Sequence, residues 1–321
     1  MALLRSPRLS VLPKWHQQFI RSRSTHSTVA TSSGSTPGDI AQAIQHCQTL
    51  VRKQDYYGYL ASLFFPKALR PAVWSIRALN LELASIRDTV SDTTIGQMKM
   101  LFWKQALEDI KEKRSPPHHP VALALADSIP RFELSTAWFT KLINTRSNNL
   151  VHPVNYTLDD LEQYSEGTAS TLLYLQLECL GIRDVEADHT ASHLGKAIGI
   201  TTLLRATPYN ASKRLVYLPQ DILAKHRVSE EDLCRQRNPQ SLSDAVFEIS
   251  TRAHDHILTA QGHLAELQPM AFTALLVAVP YYHVLKTLEQ NHFDVFSPQL
   301  QRTPWRMPYY IWKASRLRKI C

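Results

Sequence analysis

The sequence predicts an all-α protein. Glycine is scarce, 9 residues against 18 prolines. Apolar residues recur at helical spacing, and strand signals are nearly absent. The elements follow one another, broken mostly by proline. A helix over 38–53 has Asp39 near its first turn, and a long helix spans 68–90. The next, 94–114, stops at Ser115-Pro116-Pro117, where two prolines remove backbone donors. A short helix over 119–128 precedes one over 131–149. Thr157 reads as an N-cap with Asp160 at the capping-box distance. It opens a helix to Leu180 that Gly181 ends. Further helices cover 188–204, 241–267 and 270–288, and a short extended piece at most covers 214–218. Short loops and the absence of a linker predict one bundle over 37–296.

Bulk composition narrows the function. No run of about 18 apolar residues occurs, so no membrane-spanning helix is predicted. Cys47, Cys179, Cys234 and Cys321 are widely spaced with no CxxC pair. That argues against a zinc site or a disulfide framework and for idle thiols in a reducing compartment. The net charge is +8, but it sits at the ends. Residues 1–38 carry Arg5, Arg8, Lys14, Arg21 and Arg23 without an acid. Residues 297–321 carry Arg302, Arg306, Lys313, Arg316, Arg318 and Lys319 without an acid. Removing these five and six cations from +8 leaves −3 for 39–296. A nucleic-acid-binding face on the body is therefore not expected.

The acid-free, Arg- and Ser-rich start predicts a mitochondrial transit peptide over 1–36, cleaved within 23–36. The alternative is a disordered basic tail. At the other end, Trp305, Tyr309 and Trp312 recur at helical spacing, with Arg316, Arg318 and Lys319 following. Rings with basic neighbours suit a lipid–water interface. The same rings can instead pack onto the body as a closing helix. Residues 297–321 are thus read as a basic aromatic tail. Its candidate membrane contacts are Trp305, Tyr309, Trp312, Arg316 and Lys319.

Isolated metal or catalytic signals are weak. His189 and His193 lie at i, i+4 without an evident third ligand and read as surface residues. His254-Asp255-His256 is nonspecific. His118 and His119 fall in a proline loop and read as solvated. No nucleophile elbow or Cys-His signature stands out.

A larger pattern remains. Asp55-Tyr-Tyr-Gly-Tyr-Leu-Ala-Ser-Leu-Phe-Phe-Pro66 leads to Arg70-Pro-Ala-Val-Trp74 and Ile76-Arg-Ala-Leu79. Trp103-Lys-Gln-Ala-Leu107, Leu158-Asp-Asp-Leu-Glu-Gln-Tyr164, Leu194-Gly195, Leu203-Leu-Arg205 and Val216-Tyr-Leu-Pro219 follow. Their order and spacing resemble the squalene/phytoene synthase family over roughly 45–290. The resemblance implies an isoprenoid-synthase-like helical bundle around a central cavity. It also implies a DxxxD pair on each of two facing helices, holding magnesium against an isoprenoid diphosphate. Carboxylates at i and i+4 share one helix face and can grip one ion cluster. That cluster neutralises the departing diphosphate.

Carried over residue by residue, the first pair falls on Ala84 and Asp88, and the arginine before it on Leu81. The second pair falls on Ala206 and Asn210. The upstream asparagine and glutamine fall on Thr202 and Gly199, and the arginine before the Val-Tyr block on Leu215. Three of four carboxylates are missing. The remnant pocket expected from this is Ala84, Asp88, Arg205, Ala206 and Asn210, with Asp88 able to pair with Arg205 across the cavity. Asp88-Thr-Val-Ser-Asp92 is a DxxxD one turn along and could restore the first pair. Nothing comparable lies on the second helix, where Pro208 disturbs i, i+4 geometry.

Ala78-Leu-Asn-Leu-Glu-Leu-Ala84 and Phe64-Phe-Pro-Lys67 resemble one branch of the family, mitochondrial proteins that help build respiratory complex I at an early step. The resemblance implies a non-catalytic matrix protein, peripheral on the inner membrane. Its partners would be complex I subunits or assembly intermediates, with no cofactor and no metal. An apolar cavity able to hold a lipid or a hydrophobic segment is expected. An isoprenoid-binding carrier and a residual Mg-dependent prenyl transferase remain alternatives.

Overall fold

The structure is a computed structural model that describes residues 37–90, 92–151 and 156–320. The predicted transit peptide lies outside the described residues. Among these, every regular element is a helix. The chain opens with α1 (Pro37–Gln54), α2 (Tyr56–Ser62), α3 (Arg70–Thr89), α4 (Thr93–Lys111), α5 (Pro120–Arg131) and α6 (Thr136–Val151). Then come α7 (Leu158–Ser165), α8 (Thr171–Cys179), α9 (Val185–Ser212), α10 (Gln220–Lys225), α11 (Glu230–Cys234) and α12 (Pro239–His263). The chain closes with α13 (Ala271–Leu275), α14 (Ala278–Gln290), α15 (Pro298–Gln301) and α16 (Met307–Leu317).

Local chemistry sets most boundaries. Thr157 and Asp160 form the predicted reciprocal capping box at the start of α7. Asp92 caps α4 and Asp184 caps α9, each side chain accepting from a backbone N–H of the first turn. Gly181 follows α8 at φ 73°, a left-handed position that costs glycine nothing. The helix predicted from Thr157 to Leu180 is not uniform. A π-helical segment, Glu166–Ser170, separates α7 from α8. The helix predicted over 270–288 is also divided. Pro280 cannot donate to a carbonyl four residues back, and α14 starts just before it, with proline in its first turn. In contrast, Pro208 does not end α9, which runs 28 residues through it.

Two apolar clusters form the core. One gathers residues such as Leu173, Leu194, Ile200, Val246 and Leu275, from α8, α9, α12 and α13. The other gathers Cys47, Ile76, Leu79, Trp103 and Phe139, from α1, α3, α4 and α6. Burial around most of its circumference makes α9 an axial helix rather than a surface one. It packs against α12, α7, α14 and the π segment. The crossing with the π segment is close. A Cβ on Gly195 would overlap the backbone of Ser170, and one on Gly199 would overlap the Ser165 side chain. Helix α3 belongs mainly to the second cluster and α9 to the first. The seam between the clusters runs where α3 and α6 meet α8 and the π segment, and α3 and α9 flank it, linked through Asp88 and Lys213.

Candidate functional site

The seam carries the positions picked out in the sequence. On α3, Leu81, Ala84 and Ser85 are half-buried and Asp88 is exposed. On α9, Thr202 is exposed and Ala206 and Tyr209 are half-buried, while Asn210 turns inward and is buried. Residues three and four apart share a helix face, so each helix presents one accessible stripe. Exposure midway along α9, at Thr202, opens that stripe to water. Lys213 Nζ, just past the end of α9, lies 2.9 Å from Asp88 Oδ1 and ties the ends of the two helices together.

Two expectations are corrected here. Asp88 pairs with Lys213 and not with Arg205, whose guanidinium lies 5.1 Å over the Tyr57 ring. Nor does Asp92 rebuild a carboxylate pair with Asp88. Helix α3 stops at Thr89, Val90 is extended at φ −113° and ψ 140°, and Asp92 accepts the Thr94 N–H at 2.7 Å as the cap of α4. The two carboxylates serve different helices.

The rest of the seam is built from arginines and rings. Arg87 lies 4.6 Å over Tyr217 and donates to Asn149 Oδ1 at 3.1 Å. Burial pushes the Tyr217 hydroxyl above its ordinary range. Arg146 donates to the Tyr164 hydroxyl at 2.6 Å and to Asn80 Oδ1 at 2.8 Å. Tyr57 meets Tyr281 edge-on at 5.7 Å, and burial pushes Tyr281 up to about 12. Beneath them Arg77 is paired with Asp55 at 2.5 Å. Arg87, Arg146, Arg205 and Lys213 thus gather where a single exposed carboxylate, Asp88, remains on the facing stripes.

The structure also joins residues that sequence spacing kept apart. His193 Nδ1 lies 2.8 Å from His256 Nδ1. His189 meets both His193 and His263 edge-on, at 4.8 Å and 5.1 Å between ring centroids. Four histidines therefore line the α9–α12 contact, and His193 is half-buried rather than on the open surface. Glu162 on α7 accepts from Arg252 and faces His256 at 3.3 Å. The sequence signals for this face were the i, i+4 spacing of His189 and His193 and the heptad offset between His256 and His263. Among the described residues, Glu186, His263 and Glu266 are the single group whose ligand atoms converge within 4.8 Å, with both glutamates exposed. A groove of about 510 Å³ lies elsewhere, lined by Leu158, Phe247 and Thr251 among others, none on α3 or α9.

With this geometry in place, the comparisons define the class. The squalene/phytoene synthase family profile matches residues 51–308. The chain belongs to that family, and its isoprenoid-synthase fold follows the prediction. A crystal structure of a dehydrosqualene synthase superposes with a TM-score of 0.76 at 18% identity, covering 87% of this chain and 98% of that one. Among curated proteins, the chain is 43% identical over 289 residues to human NADH dehydrogenase (ubiquinone) complex I, assembly factor 6, covering 90% of the chain and 85% of the relative. It is 26% identical over 291 residues to phytoene synthase of Arthrospira platensis, covering 84% and 92%.

Proposed function

We propose that this protein serves the assembly of respiratory complex I at an early step, in the mitochondrial matrix against the inner membrane, and does so without prenyl-transfer chemistry. The observation that carries the reading is the 43% identity, over 90% of the chain, to a human protein named as a complex I assembly factor. The seam supports its second half. An isoprenoid diphosphate leaves only when divalent cations neutralise its developing charge. Here Ala84, Ala206 and Asn210 stand where the family pattern has carboxylates. Asp88 is held by Lys213, and Arg205 is stacked on Tyr57. Gly199, the position of the family's glutamine, packs so closely on Ser165 that a Cβ there would overlap its side chain.

In cells lacking the protein, complex I falls while the other respiratory complexes stay at their normal level. Normal complex I in such cells ends the assembly reading. The open stripe at Thr202 and Ala206 favours a second role for the seam, retention of an isoprenoid or another apolar ligand. Organic extraction of the purified protein tests it, and an extract free of lipid refutes it.

A further inference from the structure

Helix α16 has two opposed faces. Met307, Ile311 and Ala314, at i, i+4 and i+7, are buried. The helix packs against α14 and α2. Tyr310 stacks on His283 of α14 at 4.2 Å, and Gln261 of α12 donates to the Ile320 carbonyl at 2.5 Å. The helix is thus fixed to the body along one side and just past its C-terminal end. Its other side carries Tyr309 and Trp312, and Trp305 stands in the turn just before the helix; these are 55%, 48% and 82% exposed. Tyr309 and Trp312 stack at 5.9 Å. Arg306 covers the Trp305 ring at 4.9 Å and Arg316 the Trp312 ring at 6.0 Å. Arg302, Lys313 and Arg318 are exposed around them, and 297–321 contains no acid.

Three large rings held in water, two on the helix and one at its entry, are unfavourable by themselves. What removes them from water must also accept at least five cations. A bilayer with anionic headgroups does both. Rings of this kind settle at headgroup depth and guanidinium groups meet phosphate. The rings project outward and enclose no pocket, which suits a deformable lipid surface better than a folded partner. The helix has 11 residues, about 16 Å of rise, so it lies on the surface; no helix of the described residues is long and apolar enough to cross a membrane.

We infer that the outer face of α16 and its entry turn, with Trp305, Tyr309 and Trp312 as anchors and Arg302, Arg306, Lys313 and Arg316 as headgroup contacts, docks this protein onto anionic phospholipid. This face gives the membrane placement proposed above its physical contact, and lipid binding is measurable without complex I. The test is co-sedimentation of the full chain with vesicles of phosphatidylcholine, alone or mixed with cardiolipin. The parent protein binds the cardiolipin vesicles, and high salt weakens the binding as the charges are screened. The triple variant Trp305→Ala/Tyr309→Ala/Trp312→Ala keeps the parent melting temperature and binds about tenfold more weakly or worse. Lys313→Glu/Arg316→Glu loses the preference for cardiolipin. Absence of binding by the parent overturns the inference. So does undiminished binding by the triple variant, which would assign the contact to the cationic residues of 1–36. If lipid binding fails while loss of the protein still lowers complex I, only the docking face falls.

Discussion

Acid should loosen the α9–α12 contact through His193. Its Nδ1 lies 2.8 Å from His256 Nδ1, so one ring donates, the other accepts, and a second proton has no place between them. Burial, followed by the charge that His256, His189, Lys196 and His263 carry when protonated, lowers His193 from its ordinary value to about 4. His256 is lowered too, because burial outweighs the pull of Glu162. On the facing side Glu162 is held by Arg252, with Lys196 at 3.9 Å. Between the unfolded value, 6.5, and about 4 the unfolded chain binds a proton that the folded chain refuses. Stability is therefore full above the unfolded value and falls with pH across that window, until the loss is complete below about 4. One pKa unit is worth about 1.4 kcal/mol, and solvent screening of a half-buried ring brings the contribution to about 1–2 kcal/mol. Carboxyls raised by burial, Glu82, Glu178 and Asp188, act in the opposite direction. The informative quantity is thus the difference between the parent and His193→Gln, which keeps a polar partner for His256 but does not titrate. Urea midpoints at about pH 7.5 and about pH 5 should show the parent losing about 1–2 kcal/mol more than the variant. Equal losses refute the reasoning.

Gly195→Ala places a methyl group into the backbone of Ser170; it should cost about 1–3 kcal/mol, seen as a melting temperature several degrees lower. Asp88→Asn removes an ion pair whose partners are half in water, so stability changes by about 0–1 kcal/mol. On the proposed reading, which assigns no metal chemistry to that carboxylate, the same variant restores complex I in cells lacking the protein as well as the parent does.

The helix order was legible because proline, glycine and capping residues act locally. The Thr157–Asp160 box and the Gly181 stop needed no knowledge of the fold. Helix α2 was not legible, because Tyr56-Tyr-Gly-Tyr-Leu-Ala-Ser62 has no clear period and forms under tertiary packing. The π segment escaped for a related reason. It answers to the glycines of α9 pressed against it, more than 20 residues away. His119 read as solvated, yet it caps α5 and meets Trp103 at 5.0 Å, while His118 is exposed. The histidine line was hidden because His193 and His256 are 63 residues apart. At the seam, the Asp88–Lys213 pair was not legible. Lys213 stands outside every motif and is placed only by the end of α9. The packing reading of the tail holds for one face, where Met307 and Ile311 are buried, while Trp305 and Trp312 stay exposed on the other.

The central claim is that the α3–α9 seam does no prenyl chemistry, and it is tested most directly by incubating the purified protein with farnesyl diphosphate and magnesium and measuring released pyrophosphate. The account predicts release equal to the protein-free blank. Release that requires magnesium and disappears in Asp88→Asn would contradict it.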